Sequence, residues 1–194
     1  MTSQVDIANR ALTKLGETRI IDLEDPRKPA STINSMYEIV LAAELRAHLW
    51  AFSKARAQLP ALSEKPAFGY AEQFTLPADF VRLIKVANFW VYPKPTTKGL
   101  FSIEGRRLLI DTEGPLNIEY VRLVTDPNEY DALFVELFAC RLAMEACETI
   151  TQSETKFNRI ANMYRQALSD GLRAGAVERP AAAVQDDSWM ESRR

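Results

Sequence analysis

Apolar positions in the first part of the chain recur at the spacing of an amphipathic helix. Ser3 and Asp6 have the spacing of a capping box, in which each residue accepts a hydrogen bond from the backbone of the other. Apolar residues then follow at intervals of three and four as far as Leu15, and Gly16 stands where a helix commonly ends. The pattern therefore predicts a first helix that ends at Leu15.

A second helix is predicted after a short loop. Two prolines interrupt residues 17–30, and we expect no regular element there. Ser31 or Thr32 can cap a helix that continues to about Leu49. Residues 1–49 are thus interpreted as the N-terminal helices of a bundle.

The middle of the chain, residues 50–125, has a different pattern. Seven of the ten prolines lie between Pro60 and Pro127, which excludes long helices there. Apolar and polar residues alternate in short segments, most regularly from Leu116, which is typical of strands with one buried face. The predicted strands are 81–89, 100–103, 107–111 and 116–124, with 50–59 leading into the same sheet. We predict a small antiparallel β domain inserted between helices.

Helical periodicity returns over residues 126–174. Asp126 and Pro127 combine a capping residue with a proline suited to the first helical position, and Thr151 with Glu154 is the corresponding signal for another helix. We therefore predict two long C-terminal helices of the bundle. The predicted buried face of the second consists of Phe157, Ile160, Ala161, Tyr164, Ala167, Leu168 and Gly171.

The last segment, residues 175–194, contains too few large apolar groups to fold alone. Trp189 and Met190 are the exception, since they stand among polar neighbours. An aromatic residue in such a segment is a natural anchor for a partner. The predicted fold class is therefore α+β: an antiparallel α-helical bundle with a small inserted antiparallel β domain and an extended C-terminal docking tail.

Composition and charge limit the classes of molecule that we expect the chain to bind. Of 194 residues, 47% are hydrophobic and 26% charged, which is typical of a folded protein. A net charge of −2 lacks the basic excess of a nucleic-acid-binding surface. No apolar stretch reaches the length of a membrane span, and the N-terminus shows no export signal, so we expect a soluble protein that binds no membrane.

The usual residues of catalytic and metal sites are scarce. His48 is the single histidine, and we interpret it as a packed or capping residue. Cys140 and Cys147 lie on the apolar side of a predicted helix and are expected to be core residues. No nucleotide-binding glycine loop is present. We expect no cofactor and no metal.

Paired carboxylates leave one catalytic alternative open, because glycoside hydrolysis needs only two in a cleft. The neighbouring pairs are Glu24 with Asp25, Glu145 with Glu148, and Asp186 with Asp187. Acidic pairs of this kind more often belong to a solvated surface, and that is the interpretation we favour.

Five segments, in this order along nearly the whole chain, resemble the tail tubular protein A family. Members of this family are head-to-tail adaptors of short-tailed bacteriophages. The segments are Asn9-Arg-Ala-Leu-Thr-Lys-Leu-Gly-Glu-Thr-Arg-Ile, Tyr37 with Leu49-Trp-Ala-Phe-Ser-Lys-Ala-Arg-Ala-Gln-Leu, Phe74-Thr-Leu-Pro-Ala-Asp-Phe-Val-Arg-Leu, Ile150-Thr-Gln-Ser and Asp187-Ser-Trp-Met.

The resemblance implies a structural role in assembly, and we expect no enzymatic activity. Members of the family form a ring, typically of twelve copies, between the portal and a tail nozzle of the tail tubular protein B kind. The ring extends the DNA channel without sequence-specific binding, so we expect side chains facing the channel to be acidic or neutral. The expected location is the neck of the virion, and the host cytoplasm during assembly.

The resemblance also implies which parts meet the partners. In similar adaptors the C-terminal extension docks against the portal, and the β domain is the expected nozzle-facing part. The matching tail positions are Val177, Pro180, Val184, Trp189, Met190, Arg193 and Arg194. Two other classes stay open: a virion-associated peptidoglycan hydrolase using paired carboxylates, and a nucleic-acid-binding module, which the charge disfavours.

Overall fold

The structure, a computed structural model, describes residues 2–87, 89–91 and 100–177. The helices are α1 (Gln4–Leu15), α2 (Lys28–Ala47), α3 (Ala132–Thr151) and α4 (Glu154–Val177). The strands are β1 (Lys54–Leu59), β2 (Glu72–Thr75), β3 (Phe80–Val86), β4 (Phe89–Trp90), β5 (Phe101–Glu104), β6 (Arg107–Ile110) and β7 (Leu116–Arg122). The predicted α+β class and the helix–strand–helix order are confirmed. Within these ranges, no helix has the length and apolar character needed to cross a membrane.

Helix α1 begins and ends as its sequence predicts. The Ser3 hydroxyl accepts a hydrogen bond from the Asp6 amide at 3.1 Å, and the Asp6 carboxylate accepts one from the Ser3 amide at 2.9 Å. Gly16 ends the helix with a φ of 78°, a left-handed conformation in which glycine is unstrained. The Asn9 side chain then donates to the Ile20 carbonyl and accepts from the Ile20 amide, which fixes the following loop against α1.

Helix α2 begins earlier than predicted. It starts at Lys28, so the expected caps Ser31 and Thr32 lie inside it. Pro29 is in the first turn, where backbone amides have no intrahelical acceptor, and a proline is therefore tolerated there. The prediction that residues 17–30 form a loop was wrong for the last three of them.

Two small antiparallel sheets form the β domain. Their strand orders are β1-β7-β3-β4 and β2-β6-β5. Strand β2 was not predicted, because it has only four residues and a weak alternation, although its Phe74 is completely buried. The other predicted strands are confirmed, with β4 a separate short strand after β3.

The first sheet belongs to two hydrophobic cores at once. Ile84 and Val121 pack with the helices, whereas Leu83 and Tyr120 pack within the β domain. Neighbouring residues of a strand point to opposite faces, so β3 and β7 contribute to both cores. The sheet therefore joins the β domain to the helices.

Helix α3 begins later than its start signal. Pro127–Glu129 form a single 3-10 turn capped by Asp126, and the backbone then leaves the helical conformation. Asp131 is the actual cap of α3, since its carboxylate accepts from the Leu133 amide at 2.7 Å.

Helix α4 also differs from its prediction at both ends. Gln152, with a φ of 50°, separates it from α3, and the Ser153 hydroxyl rather than Thr151 accepts from the first turn, at Lys156. The helix includes every residue from Glu154 to Val177, and no proline interrupts it. Residues 175–177, which were predicted to belong to the tail, are therefore helical, and the rest of the predicted tail lies outside the described residues.

Candidate interaction surfaces

The predicted docking residues fall almost entirely outside the part of the chain that the structure describes. Val177 is the last residue of α4, and its side chain is outside the described residues. Pro180, Val184, Trp189, Met190, Arg193 and Arg194 also lie outside them. Their role in docking therefore stays a prediction.

A cleft of about 230 Å³ lies beside the last turns of α4. Its walls include Trp50, Phe52 and Tyr130 from the junction between the helices and the β domain, and Leu172 and Gly175 from α4. We call it the α4 cleft. Three segments that are distant in sequence form it, so no local pattern could have predicted it.

The inner wall of the α4 cleft is a cluster of aromatic rings. The Trp50 ring meets Phe134 edge to face with centroids 5.0 Å apart, and Phe52 meets Phe134 at 4.9 Å. Trp50 is 5% exposed, and its indole N–H has no hydrogen-bond partner among the described residues. Rings held in this way form a fixed apolar surface.

Gly171 lets α4 approach this wall closely. A Cβ atom at this position would lie 3.0 Å from Cζ3 of Trp50, which is shorter than an ordinary carbon–carbon contact. Gly175, one turn later, has open space around the same position. The helix is therefore in close contact with the aromatic wall at Gly171 and free of it at Gly175.

Acidic groups lie at the rim of the α4 cleft. Glu129 forms an ion pair with Arg122, and Asp131 is occupied as the cap of α3. Between them, the Tyr130 hydroxyl donates to the Val124 carbonyl at 2.9 Å, and burial raises the pKa of Tyr130. The two carboxylates are thus engaged in structural interactions.

A buried polar cluster connects α2 with α4. Glu44 is 3% exposed and accepts a hydrogen bond from the Tyr164 hydroxyl at 2.8 Å. His48 caps α2, with Nε2 3.8 Å from the Glu44 carboxylate, and burial lowers the pKa of His48. The interpretation of His48 as a packed or capping residue is confirmed.

The cysteines are both buried and unbridged, as expected for core residues. Burial raises the pKa of the Cys140 thiol, which disfavours the reactive thiolate. The Cys147 sulfur lies 3.3 Å from the Thr151 hydroxyl within α3.

The acidic pairs singled out in the sequence form no converging site in the described ranges. Glu145 and Glu148 are exposed on α3, and Glu145 pairs with Arg141 at 2.6 Å. Asp25 binds the Arg27 guanidinium, which lowers the pKa of Asp25 to about 2. Asp186 and Asp187 lie outside the described residues. Over the same ranges, no three histidine, cysteine or acidic side chains come together in a way that could hold a metal ion.

Several large apolar side chains are exposed. Ile39 on α2 is 73% exposed and Phe68, in the loop before β2, is 88% exposed. On α4, Phe157, Met163 and Leu172 are 42%, 37% and 43% exposed. Phe157 was predicted to be buried, but it lies in the first turns of α4. Ile39 could have been found in the sequence, because it stands outside the apolar stripe of its helix.

Three arginines add positive charge to the exposed surface of α4. Arg159, Arg165 and Arg173 are exposed along this helix. Arg159 donates to the Lys14 carbonyl at 2.8 Å, and Arg165 donates to Asn162 at 2.7 Å. Neither contact neutralises the charge.

No protein-family model matches the chain, and no curated protein matches it significantly.

Proposed function

We propose that this chain is a head-to-tail adaptor of a short-tailed bacteriophage. It forms a ring, of twelve copies, that joins the portal to the tail nozzle and extends the DNA channel. The observation that carries the proposal is the order of the five sequence segments together with a helical bundle that contains an inserted β domain. That architecture agrees with the fold which the resemblance implies.

Several of the segments that carry the resemblance lie where one helix or strand connects to the next. Residues 9–20 contain the Asn9–Ile20 hydrogen bonds that fix the loop after α1. Residues 49–59 lead from α2 into β1 and include the buried Trp50, and the third segment begins at the buried Phe74. Similar sequences at these positions indicate that the helices and strands are connected in the same way as in the family. This supports a shared fold.

The tail supplies the attachment to the portal. Residues 178–194 follow α4 and include Trp189 and Met190 as an apolar anchor. Ordering a segment on docking costs roughly 1–2 kcal/mol per residue, so a single tail binds weakly. Twelve tails on one ring bind together, and multivalency makes the attachment strong.

The ring itself needs two different complementary surfaces on each subunit. Ile39 on α2 and Met163 on α4 supply apolar surface on two helices. We infer that these helices contribute to the contacts between neighbouring subunits. The arginines of α4 would retain phosphates if they lined the channel, so we expect α4 to face away from the DNA.

Co-sedimentation with the portal ring of the same phage tests the proposal. Full-length protein is compared with a chain that ends at Val177, which keeps all four helices, and with Trp189→Ala. We expect full-length protein to join the ring at about one subunit per portal subunit, and both variants to stay behind. Failure of all three proteins to bind would contradict the adaptor function, and equal binding of all three would place docking elsewhere.

The hydrolase alternative has no specific support among the described residues. The carboxylates at the rim of the α4 cleft, Glu129 and Asp131, pair with Arg122 and cap α3 respectively. We expect purified cell walls to keep their turbidity when the protein is added. Clearing that is abolished by a Glu→Gln substitution would overturn the adaptor proposal in favour of an enzyme.

A further inference from the structure

We propose that the α4 cleft binds the C-terminal segment of its own chain, residues 178–194, with Trp189 and Met190 as the inserted apolar side chains. The inference rests on the cleft and on the connectivity of the chain. It does not depend on the proposed function, because it concerns the subunit before any partner is present.

The chemistry of the α4 cleft suits an aromatic side chain. Trp50 and Phe52 supply a fixed aromatic wall, and Leu172 supplies an apolar side that is 43% exposed. The cleft has a volume of about 230 Å³. An apolar site of this size is filled favourably by burying a tryptophan.

The connectivity of the chain brings this segment to the cleft. Ala174 and Gly175 line the cleft, and Val177 ends α4 two residues later. Trp189 follows Val177 by 12 residues, and a fully extended chain of that length spans at most about 40 Å. Trp189 can therefore reach back past the end of α4 to the cleft.

The short connection also decides in favour of the same chain. Two groups joined by a short stretch of chain meet at an effective concentration on the order of 1 mM, far above the concentration of separate molecules in dilute solution. A docked form that exceeds the undocked form about tenfold then requires an intrinsic dissociation constant of only about 0.1 mM. The cleft would thus hold Trp189 until a tighter partner displaces it.

Fluorine NMR of the full-length chain labelled with 5-fluorotryptophan tests the proposal. The three tryptophan signals are assigned by comparison with Trp189→Phe. Exposure is measured as the line broadening caused by a soluble gadolinium chelate. We expect the Trp189 signal to broaden about tenfold less than the same residue in a free peptide of residues 178–194.

Matched variants of α4 locate the protecting surface. Leu172→Glu places a charge in the wall of the cleft, whereas Met163→Glu changes a similarly exposed residue of the same helix outside it. We expect Leu172→Glu to raise the broadening of Trp189 to that of the free peptide and Met163→Glu to leave it unchanged. Ala174→Glu is a second cleft variant, and circular dichroism checks that all three variants keep their helices.

Three results would overturn the proposal. The first is equal broadening of Trp189 in the full chain and the free peptide. The second is protection that persists in both Leu172→Glu and Ala174→Glu. The third is protection that increases with protein concentration, which would place the segment in the cleft of a second copy.

Discussion

Helices α3 and α4 follow each other in the chain but have different surroundings. Helix α3 has 20 residues, of which ten are buried, and it contacts all three other helices. Helix α4 has 24 residues, and only Ile160, Ala161 and Gly171 are buried in its described part. Similar helical periodicity thus predicts both helices without indicating how many neighbours each one has.

Helix α3 therefore stabilises the packing of the other helices, whereas α4 leaves much of its own surface exposed to solvent. Removal of α3 side chains opens cavities among all the helices, whereas α4 packs mainly against α3. Exposed apolar and basic residues remain on α4, and the C-terminal segment follows it. Of the two helices, α4 therefore offers the larger exposed surface.

The largest effect is expected from Phe138→Ala in α3. Phe138 is fully buried and meets Tyr37 at 5.1 Å between ring centroids, so the substitution leaves a cavity. We expect the free energy of unfolding to fall by about 3–5 kcal/mol. Phe157→Ala on α4 is the control, because its ring is 42% exposed, and a loss below about 1 kcal/mol is expected there. Equal losses in chemical denaturation would contradict the comparison.

The two glycines of α4 test where this helix makes close contact. Gly171→Ala forces the Trp50 ring to move, because the new Cβ atom lies 3.0 Å from it, and we expect a loss of about 1–3 kcal/mol. Gly175→Ala meets nothing within 4 Å and should gain up to about 1 kcal/mol from helix propensity. Opposite signs in thermal or chemical unfolding are the expected result, and equal signs would show that α4 does not rest on Trp50.

The hydrogen bond between α4 and α2 is expected to have a smaller effect. Tyr164→Phe removes the donor to the buried Glu44 carboxylate. We expect a loss of about 1–2 kcal/mol in the free energy of unfolding, because the buried Glu44 side chain loses a hydrogen bond. Tyr70→Phe, in the loop before β2, is a control that should change stability little. An unchanged free energy of unfolding in Tyr164→Phe would mean that the hydrogen bond between Tyr164 and Glu44 does not stabilise the fold.

The smallest effect is a pH dependence from His48. Burial lowers its pKa below the ordinary 6.5, while Glu44 opposes and Arg82 reinforces the shift. The unfolded chain therefore binds a proton at a higher pH than the folded chain, and stability falls as the pH decreases through and below about 6.5. His48→Gln should reduce this slope in denaturation measured across that range. A slope that the substitution leaves unchanged would assign the dependence to other groups.

Local signals predicted those parts of the fold that depend on neighbours in sequence. The capping box at Ser3 and Asp6 and the glycine end of α1 are confirmed, since both depend on backbone groups within a few residues. The interpretation of His48 as a packed or capping residue is also confirmed, and so is the burial of both cysteines, which the apolar periodicity of α3 predicts. The α+β class follows from the change in periodicity along the chain.

Features that depend on distant contacts could not be predicted in this way. Strand β2 is too short for a clear alternation and is held by pairing with β6, far away in the chain. The exposure of Phe157 depends on where α3 ends beside α4. The α4 cleft joins residues near 50, 130 and 172, and only the folded chain brings them together.

Imaging the portal ring after incubation with the full-length protein tests the central claim most directly. An electron cryomicroscopy map should show a ring of twelve added subunits below the portal. In each subunit, the C-terminal segment should extend from α4 to the portal, and the β domain should lie on the opposite side. A portal ring without added density, at protein concentrations well above those of assembly, would contradict the adaptor function.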